Sequence, residues 1–139
     1  MFTKRNDSGF RVKIFRTADV PLQSADHATF TGGARTARVA SDDSGTPVRI
    51  YKVAFEPGGR TNWHVHSGPQ WLLVIEGQVR AQSHGGRYTD LGLGDAVLFA
   101  PGEKHWHGAV PGARGVHLAV NVNLTTEWLE PVTDAEYNQ

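Results

Sequence analysis

The chain has no cysteine, so neither a disulfide framework nor thiol chemistry is available to it. It also has no excess of either charge. Its 14 basic and 14 acidic residues leave a formal net charge of zero, which argues against a nucleic-acid-binding surface. Long apolar segments are missing, and runs such as residues 71–75 are far too short to cross a bilayer. The polar N-terminus leads into no apolar segment of the kind that a signal peptide contains, so we do not expect one. We therefore expect a cytoplasmic protein that binds neither nucleic acid nor membrane.

Glycine and proline, by contrast, are abundant, with 16 and 7 residues, and they separate short stretches rich in β-branched and aromatic side chains. This spacing favours an all-β sandwich or barrel over a helical bundle. Because turns rather than helices join the stretches, we predict antiparallel pairing. The predicted strands follow a turn cluster at residues 41–47 and cover residues 48–55, 61–66, 70–75, 78–83, 87–91, 96–100, 105–110 and 115–123.

The length of the chain predicts one domain over residues 1–139. Residues 1–44 are interpreted as an N-terminal strand extension. They are weakly patterned at first, but residues 10–15 alternate apolar and basic side chains as a strand does. At the other end, Thr133 and Glu136 have the spacing of a capping box, which predicts a short C-terminal helix.

Two pairs of histidines stand at strand-like spacing: His64 with His66, and His105 with His107. Residues i and i+2 of a strand point to the same face, so each pair can direct two imidazoles at one place. Imidazole is the commonest metal-ligating side chain. Three imidazoles and one amide oxygen are enough to surround a transition metal ion, and the candidates are His64, His66, His105 and Gln70.

Each assignment has a structural alternative. A histidine in a strand is usually a hydrogen-bonded or half-exposed residue, and for His27 and His84 that interpretation is preferred. For Gln70 the alternative is a hydrogen bond to His66 or to the backbone, which would leave a metal with three protein ligands. For His107 a place at the rim of the pocket is as good an interpretation as a catalytic one.

The candidate donors are all neutral, so a divalent ion bound by them keeps its full charge. A glutamate in place of Gln70 would cancel one unit of that charge. The uncancelled charge polarises bound oxygen more strongly and favours anionic partners. This shifts the expectation from oxygen chemistry towards Lewis-acid chemistry, and it also lowers the expected metal affinity.

A candidate pocket follows from strand parity. Residues 115–123 place apolar side chains on one face and His117 and Asn121 on the other, which a metal-holding barrel would accept on its cavity side. Because imidazole titrates near neutral pH, either His117 or His107 is suited to act as general base. Tyr51 and Val53 share a face and, if it is the inner one, form a wall for an organic substrate.

Two motifs resemble those of the cupin family. The first is Gly58-x5-His64-Val65-His66-x3-Gln70-x6-Gly77. The second covers residues 94–107, from Gly-Asp-Ala-Val-Leu-Phe through the Pro-Gly turn to His-Trp-His. The resemblance implies a small jelly-roll-like antiparallel β-barrel with one metal inside, and it covers the barrel core at about residues 45–125.

Within that family the chain is similar to small bacterial cupins with hydroxynitrile lyase activity. Most metal-binding cupins carry glutamate at the position of Gln70, whereas this subset carries glutamine. The similarity extends to residues 60–64, 102–109 and 128–130. It implies manganese as the usual ion, with iron, zinc or nickel as other candidates, and a pocket position for His117. The implied ligands are His64, His66, Gln70 and His105.

Two pocket positions depart from that subset. Tyr51 stands where a small residue is common, and Asn121 stands where a glutamine is common. These exchanges are expected to reshape the cavity, so the resemblance does not fix the substrate.

The expected function is therefore that of a metal-dependent lyase which cleaves or forms cyanohydrins with a histidine base. Two alternatives stay open: a non-haem metal-dependent dioxygenase or oxidoreductase acting on a small organic substrate, and a non-enzymatic cupin that binds a small molecule. Cupins of this length commonly pair through strands, so a homodimer or homotetramer is expected.

Overall fold

The computed structural model describes residues 3–5 and 11–139. Strands joined by turns make up most of this part of the chain, with one 3-10 turn at Thr17–Asp19 and one short helix near the C-terminus. The elements are β1 (Thr3–Arg5), β2 (Arg11–Lys13), β3 (Gln23–Ser24), β4 (Phe30–Thr31), β5 (Ala34–Asp42), β6 (Val48–Phe55), β7 (Arg60–Thr61), β8 (His64–His66), β9 (Gln70–Gly77), β10 (Val79–Ser83), β11 (Tyr88–Leu91), β12 (Ala96–Phe99), β13 (His105–Ala109), β14 (Gly115–Val122), β15 (Thr126–Trp128) and α1 (Asp134–Tyr137).

Two antiparallel sheets form the body of the fold. The first has the strand order β12-β9-β14-β6-β5-β3, and the second has the order β11-β10-β13-β7-β4, with β8 joined to β13 and β15 joined to β8. The pairings are antiparallel. The result is a jelly-roll-like β-sandwich, which confirms the all-β prediction. β1 and β2 pair with each other as a separate two-stranded sheet, and β2 is joined to β5 by an ion pair of 3.1 Å between Lys13 and Asp42.

The core lies between the two sheets, and β9 shows how the sequence builds it. Residues 70, 72 and 74 are buried while residues 71, 73 and 75 are exposed, which is the period of a strand with one covered face. Leu72 of β9 packs with Phe99 of the neighbouring β12 and with Ala81 of β10 in the other sheet. The inward residues of β9 therefore join both sheets.

The C-terminal segment covers the outside of the second sheet. Its helix α1 begins with the predicted capping box: the Thr133 hydroxyl accepts from the Glu136 N–H, and the Glu136 carboxylate accepts from the Thr133 N–H. Tyr137 of this helix is buried against Trp63 and Trp106, so both tryptophans point away from the interior of the sandwich. The described residues include no helix that is long and apolar enough to cross a membrane.

One predicted strand, residues 61–66, is in fact two strands, β7 and β8. The two residues between them bond outside the strands, because the Asn62 N–H donates to the Thr29 carbonyl and the Trp63 N–H donates to the Glu130 carbonyl. These bonds tie the start of β8 to both the N-terminal and the C-terminal parts of the chain. The predicted strand 48–55 is confirmed as β6.

Other differences concern strands whose partners the sequence does not reveal. Strand β5 is not predicted, since its arginine, alanine and threonine residues give little apolar alternation, yet it pairs along its length with β6. Ser41 and Asp42 belong to this strand rather than to the predicted turn. Strand β9 continues to Gly77, beyond the predicted end at residue 75. Residues 1–44 contribute β3, β4 and β5 to the main sheets, and the start of the predicted strand 10–15 lies outside the described residues.

Candidate metal centre

Three histidines meet at one place inside the sandwich. His64 and His66 lie on β8, and His105 opens β13 directly opposite His64 in the antiparallel register. Their ligand nitrogen atoms all lie within 4.8 Å of one another, and all three side chains are buried. The pairing of β8 with β13 therefore brings together residues that are about forty positions apart in the sequence.

The second ring nitrogen of each histidine is held by a neighbour. The Nδ1 atoms of His64 and His105 lie 2.8 Å from the carbonyl oxygens of Asn62 and Glu103. A carbonyl oxygen only accepts hydrogen bonds, so both Nδ1 atoms carry the proton and both Nε2 atoms keep a free lone pair. This is the arrangement found in metal-ligating histidines, whose outer nitrogen donates to a carbonyl or carboxylate group.

His66 completes the set. Its Nδ1 lies 2.9 Å from the Thr126 hydroxyl, while its Nε2 is buried and has no hydrogen-bond partner in the structure. A buried polar atom without a partner costs free energy. A cation at this place would remove that cost, so the donor set fits a metal ion.

Burial keeps the three imidazoles neutral. Loss of solvation lowers the pKa of His64 well below its usual value, and the positive charge on a protonated His105 would lower it further. Burial likewise lowers the pKa of His105 to about 4, and it also lowers the pKa of His66. At neutral pH all three rings are therefore in the form that binds metals.

The amide of Gln70 turns its oxygen towards this cluster. Its Nε2 donates to Asn121 Oδ1 at 2.7 Å, and its Oε1 lies 3.3 Å from His105 Nε2. Because that nitrogen carries no proton, two lone-pair-bearing atoms face each other. A cation held by three imidazoles and the amide oxygen would turn this contact from repulsive to favourable.

A second pair of histidines lies beside the cluster. His107 Nδ1 of β13 is 3.0 Å from His117 Nε2 of β14, while His107 Nε2 and His117 Nδ1 are buried without a partner. Burial lowers the pKa of His107 well below its usual value, reinforced by His117, and burial lowers the pKa of His117 to about 4. The structure thus places His107 in the wall of the sandwich rather than at its rim, and the pair is neutral at physiological pH.

A cavity of about 280 Å³ opens beside the histidine cluster. The pocket residues expected from the sequence, Tyr51, Val53 and Asn121, line it, and so does His107. His117 lies behind His107 and is fully buried. Residues that the sequence did not single out also line the cavity: Phe30, Thr36, Thr61, Ala119, Thr126 and Trp128.

Trp128 is the most prominent of these additional residues. Its ring centroid lies 4.6 Å from that of His64 and 6.0 Å from that of Phe30, and its side chain is partly exposed at the mouth of the cavity. The sequence did point to this position, because residues 128–130 are part of the similarity to the hydroxynitrile lyase cupins. They were not interpreted as lining the pocket. Phe30 carried no signal, because it lies on a two-residue strand.

The comparisons with known proteins agree with this geometry. Residues 51–121 match the model of the cupin domain. The chain is 42% identical over 113 residues to the (R)-mandelonitrile lyase of Granulicella tundricola, an alignment that covers 79% of this chain and 86% of that protein.

Solved structures give the same picture of the fold. A cupin-like protein from Thermotoga maritima is 36% identical, with a TM-score of 0.79 and coverage of 83% of this chain and 90% of that one. A polyketide cyclase from Streptomyces resistomycificus is 21% identical, with a TM-score of 0.71 and coverage of 91% and 89%, and shares the fold. The protein is therefore a member of the cupin family that resembles the bacterial hydroxynitrile lyases.

Proposed function

We propose that this protein is a metal-dependent hydroxynitrile lyase, which interconverts a cyanohydrin with an aldehyde or ketone and hydrogen cyanide. One observation carries the proposal. Three neutral imidazoles and an amide oxygen converge on one wall of a cavity whose lining also includes His107, a buried imidazole with an unbonded nitrogen. The 42% identity to a mandelonitrile lyase supports the same reaction.

The residues that would hold the metal are His64, His66 and His105 through Nε2, and Gln70 through Oε1. Manganese is the first candidate, and iron, zinc or nickel would also accept these donors. When bound, a divalent cation supplies Lewis acidity to the site. Because all four donors are neutral, none of its charge is cancelled, and the cavity wall attracts anions such as alkoxide and cyanide.

The histidine pair supplies the base. With the shared proton on His107 Nδ1, donated to His117 Nε2, the Nε2 atom of His107 has a free lone pair. It accepts the hydroxyl proton of the cyanohydrin. The electron pair of the broken O–H bond forms the carbonyl double bond, the carbon–carbon bond to the nitrile breaks, and cyanide leaves with that bond's electron pair. His107 then returns the proton to cyanide, which balances the reaction and restores the neutral pair.

The remaining walls fit an aromatic cyanohydrin. Phe30, Tyr51 and Trp128 surround the cavity with three aromatic side chains, and Val53 adds an aliphatic one. An aryl ring placed among them buries its surface against rings and methyl groups. Tyr51 takes up space that a small residue would leave open, so it narrows the choice of substrate.

The test is cyanide release from mandelonitrile by protein loaded with Mn²⁺. His64→Ala should remove both the bound metal, measured by elemental analysis, and the activity. His27→Ala is the matched control, because His27 is an exposed histidine far from the cluster in the sequence. Cleavage that survives complete removal of the metal by a chelator would contradict the proposal.

Two further measurements on the same metal-loaded protein separate the alternative functions. Oxygen uptake that depends on added Fe²⁺, in the absence of cyanohydrin cleavage, would assign the three-histidine site to a dioxygenase. Tight binding of a small carboxylate without turnover under any metal would assign it to a binding protein.

A further inference from the structure

The oxygen and the NH₂ group of an amide side chain have nearly the same shape, but only one of them can coordinate a metal ion. The oxygen has lone pairs that coordinate a cation, whereas the NH₂ group has none. Gln70 can therefore serve the metal centre in only one of two orientations related by a half turn of its terminal amide. Something in the structure has to select that orientation.

In the metal-free protein the opposite orientation of the Gln70 amide would gain a hydrogen bond of its own. His105 donates its Nδ1 proton to the Glu103 carbonyl, so its Nε2 is an acceptor that faces Gln70 at 3.3 Å. A Gln70 amide turned around would donate an N–H to that acceptor. The hydrogen bond would occupy the lone pair that His105 needs for a metal.

Asn121 stands at the other end of the same amide. It lies directly opposite Gln70 in the register of β14 with β9, and its Oδ1 accepts from Gln70 Nε2 at 2.7 Å. An acceptor at this place is satisfied only when the NH₂ group of Gln70 points to it. The oxygen of Gln70 then points to the three histidines.

We propose that Asn121 is a positioning residue for the metal centre: by accepting from Gln70 Nε2 it turns the Gln70 oxygen towards the histidine cluster and keeps the lone pair of His105 free. This inference rests on the metal centre of the proposed function but not on the lyase reaction. Neighbours that orient metal ligands in this way typically change metal affinity by about 10-fold to 100-fold when they are removed.

The decisive experiment is a double-mutant cycle between positions 121 and 70. The carboxylate of Gln70→Glu has two equivalent oxygens, so no orientation has to be selected. Asn121→Ala should weaken Mn²⁺ binding by about 10-fold or more in the protein with Gln70, and by much less in the protein with Gln70→Glu. Asn121→Asp keeps an acceptor at the same place and should retain the affinity for Mn²⁺.

Affinity is measured by calorimetric titration of the metal-free proteins, and their thermal unfolding shows whether each variant folds. An equal loss of affinity in both backgrounds, or no loss with Gln70, would overturn the inference while leaving the metal centre in place. A wild-type protein that binds no Mn²⁺, Fe²⁺, Zn²⁺ or Ni²⁺ would overturn both. The lyase reaction can fail without affecting either result.

Discussion

His107 Nδ1 lies 3.0 Å from His117 Nε2, so one proton is held between two buried imidazoles. A neutral pair has two protons to place, and the atoms outside the shared bond, His107 Nε2 and His117 Nδ1, have no protein partner. When the second proton is on His117 Nδ1, the pair presents an unprotonated His107 Nε2. In that arrangement the one free lone pair of the two rings is on His107 Nε2, which is the atom that acts as the base in the proposed reaction.

The first prediction separates the roles of these two histidines. His107→Ala should lower kcat for mandelonitrile cleavage by about 10²-fold to 10⁴-fold, the usual contribution of a general base. His117→Asn should cost less, because its side chain can still bond to His107 Nδ1 from behind. Both variants should retain their manganese, checked by elemental analysis. A variant His107→Ala that loses the metal would instead indicate a ligand role.

The second prediction concerns acid unfolding of the metal-free protein. Burial lowers the pKa of His117 to about 4 and that of His105 to about 4, whereas an unfolded histidine titrates near its ordinary value of about 6.5. Between these two pKa values the unfolded chain binds more protons than the folded one. The free energy of unfolding is therefore highest above pH of about 6.5, falls as the pH drops towards about 4, and is constant again below that. Each such shift is worth on the order of 3 kcal/mol.

The measurement for this prediction is denaturant unfolding at several pH values in the presence of a chelator. His117→Leu removes one of the titrating groups and should flatten the decline between pH of about 6.5 and 4. His27→Leu serves as the control on the exposed N-terminal part of the chain. A wild-type stability that stays constant over this interval would contradict the assignment of neutral buried histidines.

The third prediction addresses the charge of the metal centre. Gln70→Glu should bind Mn²⁺ more tightly, because the carboxylate cancels one unit of charge, and should lower kcat for cyanohydrin cleavage, because the site attracts developing negative charge less strongly. Calorimetric titration gives the affinity and cyanide release gives the rate. A faster enzyme with tighter metal binding would show that the neutral donor set is not what supports the reaction.

The fourth prediction concerns the cavity. Tyr51→Ala removes an aromatic wall, so bulky aromatic cyanohydrins should be favoured over mandelonitrile by about 10-fold or more in kcat/KM relative to the wild-type protein. The truncation also leaves space against the core, and we expect it to cost about 2 kcal/mol in the free energy of unfolding. Competition assays with paired substrates measure the preference. An unchanged preference would place the substrate elsewhere in the cavity.

Much of the metal centre could be predicted from the sequence because it depends on local geometry. The spacing of His64 and His66 fixes a shared face, and the turn before His105 marks the start of the strand that carries it. These are properties of a few neighbouring residues. The convergence of the two strands came from the family resemblance, and the structure places the three imidazoles within reach of one ion.

The rest depends on pairings between distant segments. The contact between Gln70 and Asn121 follows from the register of β9 with β14, which shifts between Val116 and His117. No local sequence pattern predicts such a shift. Phe30 enters the cavity from a strand of two residues, and Trp128 from a strand of three. Strands of that length are fixed by their neighbours rather than by their own alternation.

The bonds that orient the four proposed metal ligands divide them into two classes. His64 and His105 are held by main-chain carbonyls of residues two positions earlier, which no side-chain substitution can delete. His66 and Gln70 are held by the side chains of Thr126 and Asn121. Half of the centre is therefore fixed by the backbone, and changes of metal preference during evolution or engineering are expected to concentrate at positions 126 and 121.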